Sequence, residues 1–163
     1  MPWARIEPVL IDGLPGDLCQ RGYSGHSRGC PNYGKRPVCP PQAVLLTPEV
    51  VIGKEWYAVY NIFDFGAHVR KMRDLHPTWS QRQLECCLYW QGSARKFLKQ
   101  EVVKFLHNVT PPLPIIDWVP EARGIDVTET MRRYGIILEW PPTAVAYQIA
   151  IVGLSEGQFH GSP

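Results

Sequence analysis

Apolar and polar positions along this chain change period several times, and each change marks an element. Glu55 to Phe63 (EWYAVYNIF) is aromatic and β-branched almost without interruption, which predicts a buried strand, with a helix following over about Phe65 to Leu75. His76-Pro77 ends that helix. Thr78 followed three residues later by Gln81 has the spacing of a capping box and opens the longest helical stretch, Trp79 to about Asn108. Its inward stripe is Leu84, Cys87, Leu88, Gln91, Ala94, Leu98, Val102 and Phe105. Gly92, Ser93 and Ala94 interrupt it with small residues, at a cost of about 1 kcal/mol for the glycine, and mark a place where another group approaches closely. Thr110 to Pro114 is a Pro-rich connection, a short helix is predicted from Asp126 or Val127 to Arg133, and Gly135 is placed to end it. Ala144 to Gly153 reads as a closing strand, Val44 to Val51 as a short strand or lead-in, and Asp64 as a helix cap.

The first third breaks this regularity. Gly13, Pro15, Gly16, Gly22, Gly25, Gly29, Pro31, Gly34, Pro37, Pro40 and Pro41 exclude a long regular element there. A loop of that length calls for a functional reason, and a bound metal would supply the ordering energy that apolar burial does not. The expected fold is therefore α/β in a single domain, 1–163: a cysteine-rich loop region over 1–43 and an α/β core over 44–163. That core has a small mixed sheet and a long central helix, with the irregular N-terminal metal-binding loop on one side.

Composition narrows the class. A chain of 163 residues, 45% hydrophobic and 20% charged, is that of a globular protein with a real core. Met1 to Leu18 carries scattered Pro, Asp, Glu and Arg where a secretory signal needs a continuous apolar run, and Ala144 to Leu154 is too short to span a bilayer as a helix. A cytoplasmic protein without membrane attachment is expected. In a reducing compartment five cysteines, an odd number, point to metal ligation before disulfides. The formal charge of +2 does not by itself imply nucleic acid. Arg70, Lys71, Arg73, Arg82, Arg95, Lys96, Lys99 and Lys104 do concentrate positive charge in the middle of the chain, while Asp117, Glu121, Asp126, Glu129, Glu139 and Glu156 gather later. The plain reading is a solvated helix face; the sharper one is a surface for RNA or another anion.

The chemistry concentrates in Cys19-Gln-Arg-Gly-Tyr-Ser-Gly-His-Ser-Arg-Gly-Cys30-Pro-Asn-Tyr-Gly-Lys-Arg-Pro-Val-Cys39-Pro-Pro. Three thiols fall within twenty-one residues rich in glycine and proline. Glycines allow tight turns and aim N–H groups at cluster sulfurs, and proline keeps the segment from competing as helix. Structural zinc favours four ligands in close pairs, whereas these gaps are ten and eight residues without a CxxC. An iron-sulfur cluster, of 4Fe-4S type, is therefore preferred over zinc as cofactor, with Cys19, Cys30 and Cys39 as ligands and one open position. His26 and Cys87 are the candidates to complete it, although the plainer reading makes His26 a solvent-facing loop residue and Cys87 core. Cys86 points about 100° away from Cys87 on a helix and reads as a buried structural thiol. Tyr23 and Tyr33 are placed to pack over the site. Arg21, Arg28, Lys35 and Arg36 flank the thiols as candidate substrate-binding groups.

Cys30-Pro-Asn-Tyr-Gly-Lys-Arg-Pro-Val-Cys39-Pro-Pro resembles the C-P-x-Y-G…C-P-P block of the bacterial and archaeal "predicted metal-binding protein" family, a domain of unknown function. Pro120-Glu121-Ala122-Arg123-Gly124-Ile125-Asp126-Val127-Thr128 resembles that family's E-A-x-G-I-D-V segment, and Gln91-Gly92-Ser93-Ala94 its middle helix. The resemblance implies an iron-sulfur or other metal site and brings no known reaction. Two departures accompany it. The ten-residue gap after Cys19 looks like an insertion. The second cysteine cluster that typical members carry before E-A-x-G-I-D-V is missing from Val109-Thr-Pro-Pro-Leu-Pro-Ile-Ile-Asp-Trp118, leaving a reduced form with one centre.

The functional expectation is a cluster-binding protein whose open iron acts on a small sulfur-containing or anionic substrate, such as a thiolated base or nucleotide. Two other classes compete. One is a non-catalytic metal-stabilised module that binds RNA or a partner protein, with Trp3, Trp56, Trp79, Trp90, Trp118 and Trp140 as stacking or interface residues. The other is an electron-transfer protein. His68, His76, His107 and His160 form no metal-spaced pair, and no G-x-S-x-G or phosphate loop is present.

Overall fold

A computed structural model describes residues 2–13, 15–22 and 26–161, apart from the side chain of Leu18. The two strong strand signals form its centre. Strand β2 (Glu55–Asp64) and the closing strand, numbered β4 (Val145–Leu154), pair antiparallel from Glu55 opposite Leu154 to Asp64 opposite Val145. Two short strands flank them, β1 (Trp3–Ile6) on β2 and β3 (Ile115–Asp117) on β4, giving the order β1-β2-β4-β3. The fold is α/β. Every pairing in the sheet is antiparallel, not mixed as expected, because both edge strands come in on the antiparallel side of their neighbours.

Side chains alternate across each strand, so the two faces of the sheet make separate cores. Trp56, Ala58 and Ile151 face one way and pack with Ile6, Leu46, Ile125, Val127 and Met131. Tyr57, Val59, Ala150, Val152 and Leu154 face the other way and meet Leu98, Val102 and Phe105. Double coverage is why β2 reads as a continuous apolar run and not as an alternating one. A third cluster of Phe65, Trp90, Ala94 and Ala146 closes one end.

The helices follow the predicted boundaries where local signals are strong. Helix α3 spans Phe65–Leu75 with Asp64 as its cap, Oδ1 accepting from the Ala67 amide at 2.7 Å. Helix α6 spans Val127–Arg133; Asp126 caps it by accepting from the Glu129 amide at 2.8 Å, and Gly135, at φ 76°, ends it. The stretch from Trp79 to Asn108 is not one helix. It is α4 (Gln81–Leu84), a 3-10 turn (Cys87–Tyr89) and α5 (Gln91–Leu106), and the capping box belongs to Ser80 and Gln83 instead of Thr78 and Gln81. The break lets Trp90 turn into the core, stacked on Phe63 at 5.3 Å and edge-on to Phe65 at 5.4 Å. It also leaves Leu88 exposed, so the inward stripe holds at Leu84 and again from Ala94 to Phe105. Val44 to Val51 supplies no strand: Pro48–Ile52 forms the short helix α2, and Leu46 alone of the preceding apolar residues Val44, Leu45 and Leu46 is buried.

Gly153 lies opposite Trp56 in the register, and a Cβ there would sit 2.7 Å from the Trp56 ring. The ring is buried and rigid, so Gly153→Ala is expected to destabilise the fold by about 1–3 kcal/mol, read as a lower urea midpoint. An unchanged midpoint would show that this packing is loose.

Candidate metal centre

The glycine-proline segment holds its cysteines through local backbone geometry. Cys19 lies in the last turn of the short helix α1 (Pro15–Gln20), and the Cys30 amide donates to the Cys19 carbonyl at 2.7 Å. The backbone at Cys30 thus returns to that at Cys19. Gly29 makes the return possible: its φ is +82°, and a Cβ there would lie 2.5 Å from the Cys19 carbonyl oxygen. Beyond Cys30 the chain runs in successive turns, with Tyr33 N–H donating to the Cys30 carbonyl and Gln42 and Ala43 N–H donating to that of Cys39. Tyr33 and Pro40 pack back on α1, at 3.1 and 3.5 Å from where a Gly16 Cβ would stand.

Both ends of this loop are tied to one later segment. The Ile11 amide donates to the Gly124 carbonyl at 2.8 Å, and the Leu46 amide to that of Arg123 at 2.9 Å. These acceptors end a 3-10 turn, Pro120–Arg123, which packs against α1. Beneath it Asp117 of β3 is buried, with Oδ1 at 3.5 Å from the Arg123 guanidinium. Oδ2 of Asp117 and Nε of Arg123 have no hydrogen-bond partner among the described residues. Burial pushes the Asp117 carboxyl up, and the Arg123 charge opposes that only in part.

Cys19, Cys30 and Cys39 are each half-buried and free of disulfides. Burial pushes the Cys19 thiol up from its ordinary value, and the charges of Cys30, Cys39 and Glu121 push it further the same way. Cys19 thus lies within electrostatic reach of two further thiols and one carboxylate. Glu121 is exposed, and nearby protein pushes its carboxyl up by desolvation.

The other predicted residues lie apart from this group or at its rim. His26 is half-buried, and its carbonyl accepts from the Gly29 amide at 3.1 Å. Cys87 packs partly buried against the cluster of Phe65, Trp90, Ala94 and Ala146, away from the loop, and Cys86 beside it is half-buried. Arg21, Arg28, Lys35 and Arg36 are all exposed around the thiols. Tyr23 and Gly25 lie outside the described residues. Of the tryptophans Trp56 and Trp90 are core, whereas Trp118 and Trp140 are exposed. A separate cleft of about 400 Å³ runs between Phe65, Trp90, Trp140 and Tyr147. Its Glu139 is already bonded to Thr143 and Ala144. Glu121, Arg123 and Asp117 were not singled out as site residues by spacing; Glu121 and Arg123 stand in the Pro120-to-Thr128 block, which is the one signal that could have pointed to them.

Among the described residues, no group of three or more His, Cys, Asp or Glu side chains is disposed to hold a metal ion as it stands. No described helix is long and apolar enough to cross a membrane. Comparison of the chain with family models, curated proteins and solved structures gave no match.

Two expectations test this geometry. Gly29→Ala should cost at least about 1 kcal/mol from its left-handed backbone and more from the contact with Cys19. Gly34→Ala, also at positive φ (+70°) but with nothing within 4 Å of its Cβ, should cost only the backbone part. Equal urea midpoints for the two variants would show that the Cys19–Cys30 return is not tightly packed. Because the folded state holds the Asp117 proton more tightly than the unfolded chain, this group favours folding below the ordinary aspartate value of about 3.9 and loses that contribution as pH rises through the raised folded value. Relative to wild type, Asp117→Asn should therefore gain stability between acid and neutral pH, checked by urea unfolding at both; a pH-independent difference would contradict the burial argument.

Proposed function

We propose that this chain binds an iron-sulfur cluster of 4Fe-4S type through Cys19, Cys30 and Cys39 and uses an open iron position on a small sulfur-containing or anionic substrate. The observation that carries this reading is the return of Cys30 to the Cys19 carbonyl at 2.7 Å, which gathers thiols that the ten-residue gap would otherwise separate. The chemistry of the donors fits: three soft thiols suit iron-sulfur chemistry. Their sequence spacing, with gaps of ten and eight residues and no CxxC, favours a cluster over zinc.

A cluster bound there would supply a Lewis-acidic iron with an exchangeable position. The chain's own residues do the rest. The three thiols would lose their protons on binding, which burial and the neighbouring charges disfavour for Cys19. Exposed Arg21, Arg28, Lys35 and Arg36 raise the local concentration of an anionic substrate.

Anaerobic reconstitution with ferrous iron and sulfide should give a broad visible charge-transfer band. Cys30→Ala and Cys39→Ala should each abolish it, and Cys19→Ala should do so or leave a labile remnant. One equivalent of zinc with no visible band would overturn the proposal. A cluster whose loss unfolds the chain without any substrate turning over would leave a metal-stabilised module, and reversible one-electron reduction alone an electron carrier.

A further inference from the structure

We propose that the cleft between Phe65, Trp90, Trp140 and Tyr147 binds a small free organic cation, an alkylated ammonium, with its alkyl groups against the rings and its charge met by Glu139 and Glu85. None of the residues lining the cleft belongs to the cysteine loop, so the inference stands independently of the cluster reading.

The break between α4 and α5 and the segment that leads into β4 build this cleft together. Trp90 and Phe65 are buried and packed edge-on at 5.4 Å, which makes them fixed walls. Tyr147 is half-buried beside Tyr60, with ring centroids 6.0 Å apart. Trp140 is 75% exposed, a large aromatic surface that the fold leaves uncovered on the same cleft. At about 400 Å³ the space is that of a small-molecule site.

Charge decides the occupant. Glu85 and Glu139 are the only charged residues lining the cleft among the described residues, and both are acidic. Glu139 is held in place: Oε2 accepts from the Thr143 amide at 2.8 Å, the Thr143 hydroxyl at 2.9 Å and the Ala144 amide at 3.0 Å. The same donors hold its carboxyl below the usual range, so it is ionised at neutral pH. Glu85 is fixed through backbone and side chain, its carbonyl accepting from Trp90 Nε1 at 3.3 Å and its Oε1 from the side-chain amide of Gln81. Arg73 reaches that glutamine and not the carboxylate. Neither Glu85 nor Glu139 is in an ion pair among the described residues.

A cation therefore gains twice, from the negative faces of the rings and from carboxylates that no base of the protein pairs with. A metal ion would not, because the aromatic walls cannot replace its oxygen ligands. An alkylated ammonium presents apolar groups to the rings and still carries the charge. An anion is repelled, and an uncharged apolar ligand leaves the carboxylates unused.

The test titrates the full chain with choline and tetramethylammonium as probes, followed by calorimetry. The comparison compounds are dimethylbutanol, in which carbon replaces the choline nitrogen, and dimethylbutyrate, an anion of similar size. Wild type should bind choline saturably and at least about tenfold more tightly than either comparison compound. Trp140→Ala and Glu139→Gln should each weaken choline about fivefold or more, whereas Trp118→Ala, at an exposed tryptophan outside the cleft, should not. Circular dichroism checks folding. Should Glu139→Gln not fold, the uncharged isostere and Trp140→Ala, at a side chain already exposed, decide. Absence of saturable binding by both probes, equal binding of the isostere, or a choline affinity unchanged by Trp140→Ala would overturn the proposal. A trimethyllysine peptide binding at least about tenfold more tightly than choline would overturn the assignment to a free small molecule.

Discussion

Everything in this protein hangs on the ten-residue antiparallel pairing of β2 with β4. Over Trp56–Val59 and Ala150–Leu154 the strands are buried on both faces, so their side chains feed two cores and the ladder hydrogen bonds there are shielded from water. The two faces carry different tasks. Helix α5 covers one through Leu98, Val102 and Phe105, a purely apolar layer stiffened by the ring of Phe159 stacked on Phe105 at 5.1 Å. The other face holds Ile125, Val127 and Met131, and through them it fixes the only segment seen to grip both ends of the cysteine loop among the described residues.

That division explains how an irregular loop is held in place with little core of its own. Residues 27–43 form turns and bends, and Gly29 and Pro40 are their only buried members. Order comes from short-range hydrogen bonds inside the loop and from two backbone bonds to Arg123 and Gly124. The turn that supplies those carbonyls rests in its turn on Asp117, presented by an edge strand paired with β4. Sheet register is thus transmitted to the thiols through a chain of named contacts, β4 to Asp117 to Arg123 to Leu46, and a slip of one residue would turn Asp117 to the opposite face.

Electrostatics at the thiols act on Cys19, where burial, the two further thiols and the Glu121 carboxylate all disfavour the ionised form. The buried Asp117 makes one long ionic contact, and its second oxygen has no hydrogen-bond partner among the described residues.

Local signals in the sequence were sufficient for β2, α3, α6 and β4, because each has a period, a cap or a stop that acts within a few residues: Asp64 and Asp126 as caps, Gly135 as terminator. The glycine- and proline-rich run was legible as irregular over residues 27–43, whereas the rest of the region expected as loop holds the strand Trp3–Ile6 and the short helix Pro15–Gln20, which carries Cys19. Where the outcome depended on partners distant in the chain, the sequence was silent. Strands of three and four residues, β1 and β3, exist only because β2 and β4 offer edges to pair with. The helix through Cys86 breaks because Phe63 and Phe65 present a site for Trp90, an attraction no local propensity records. Glu121 stands 82 positions beyond Cys39 in the chain, and only packing of the Pro120–Arg123 turn on α1 sets it beside the helix that carries Cys19. Residue types and local geometry determined which segments turn, cap and pair; the tertiary structure decided which of them meet, since that depends on contacts whose partners lie too far apart in the chain for any local pattern to encode.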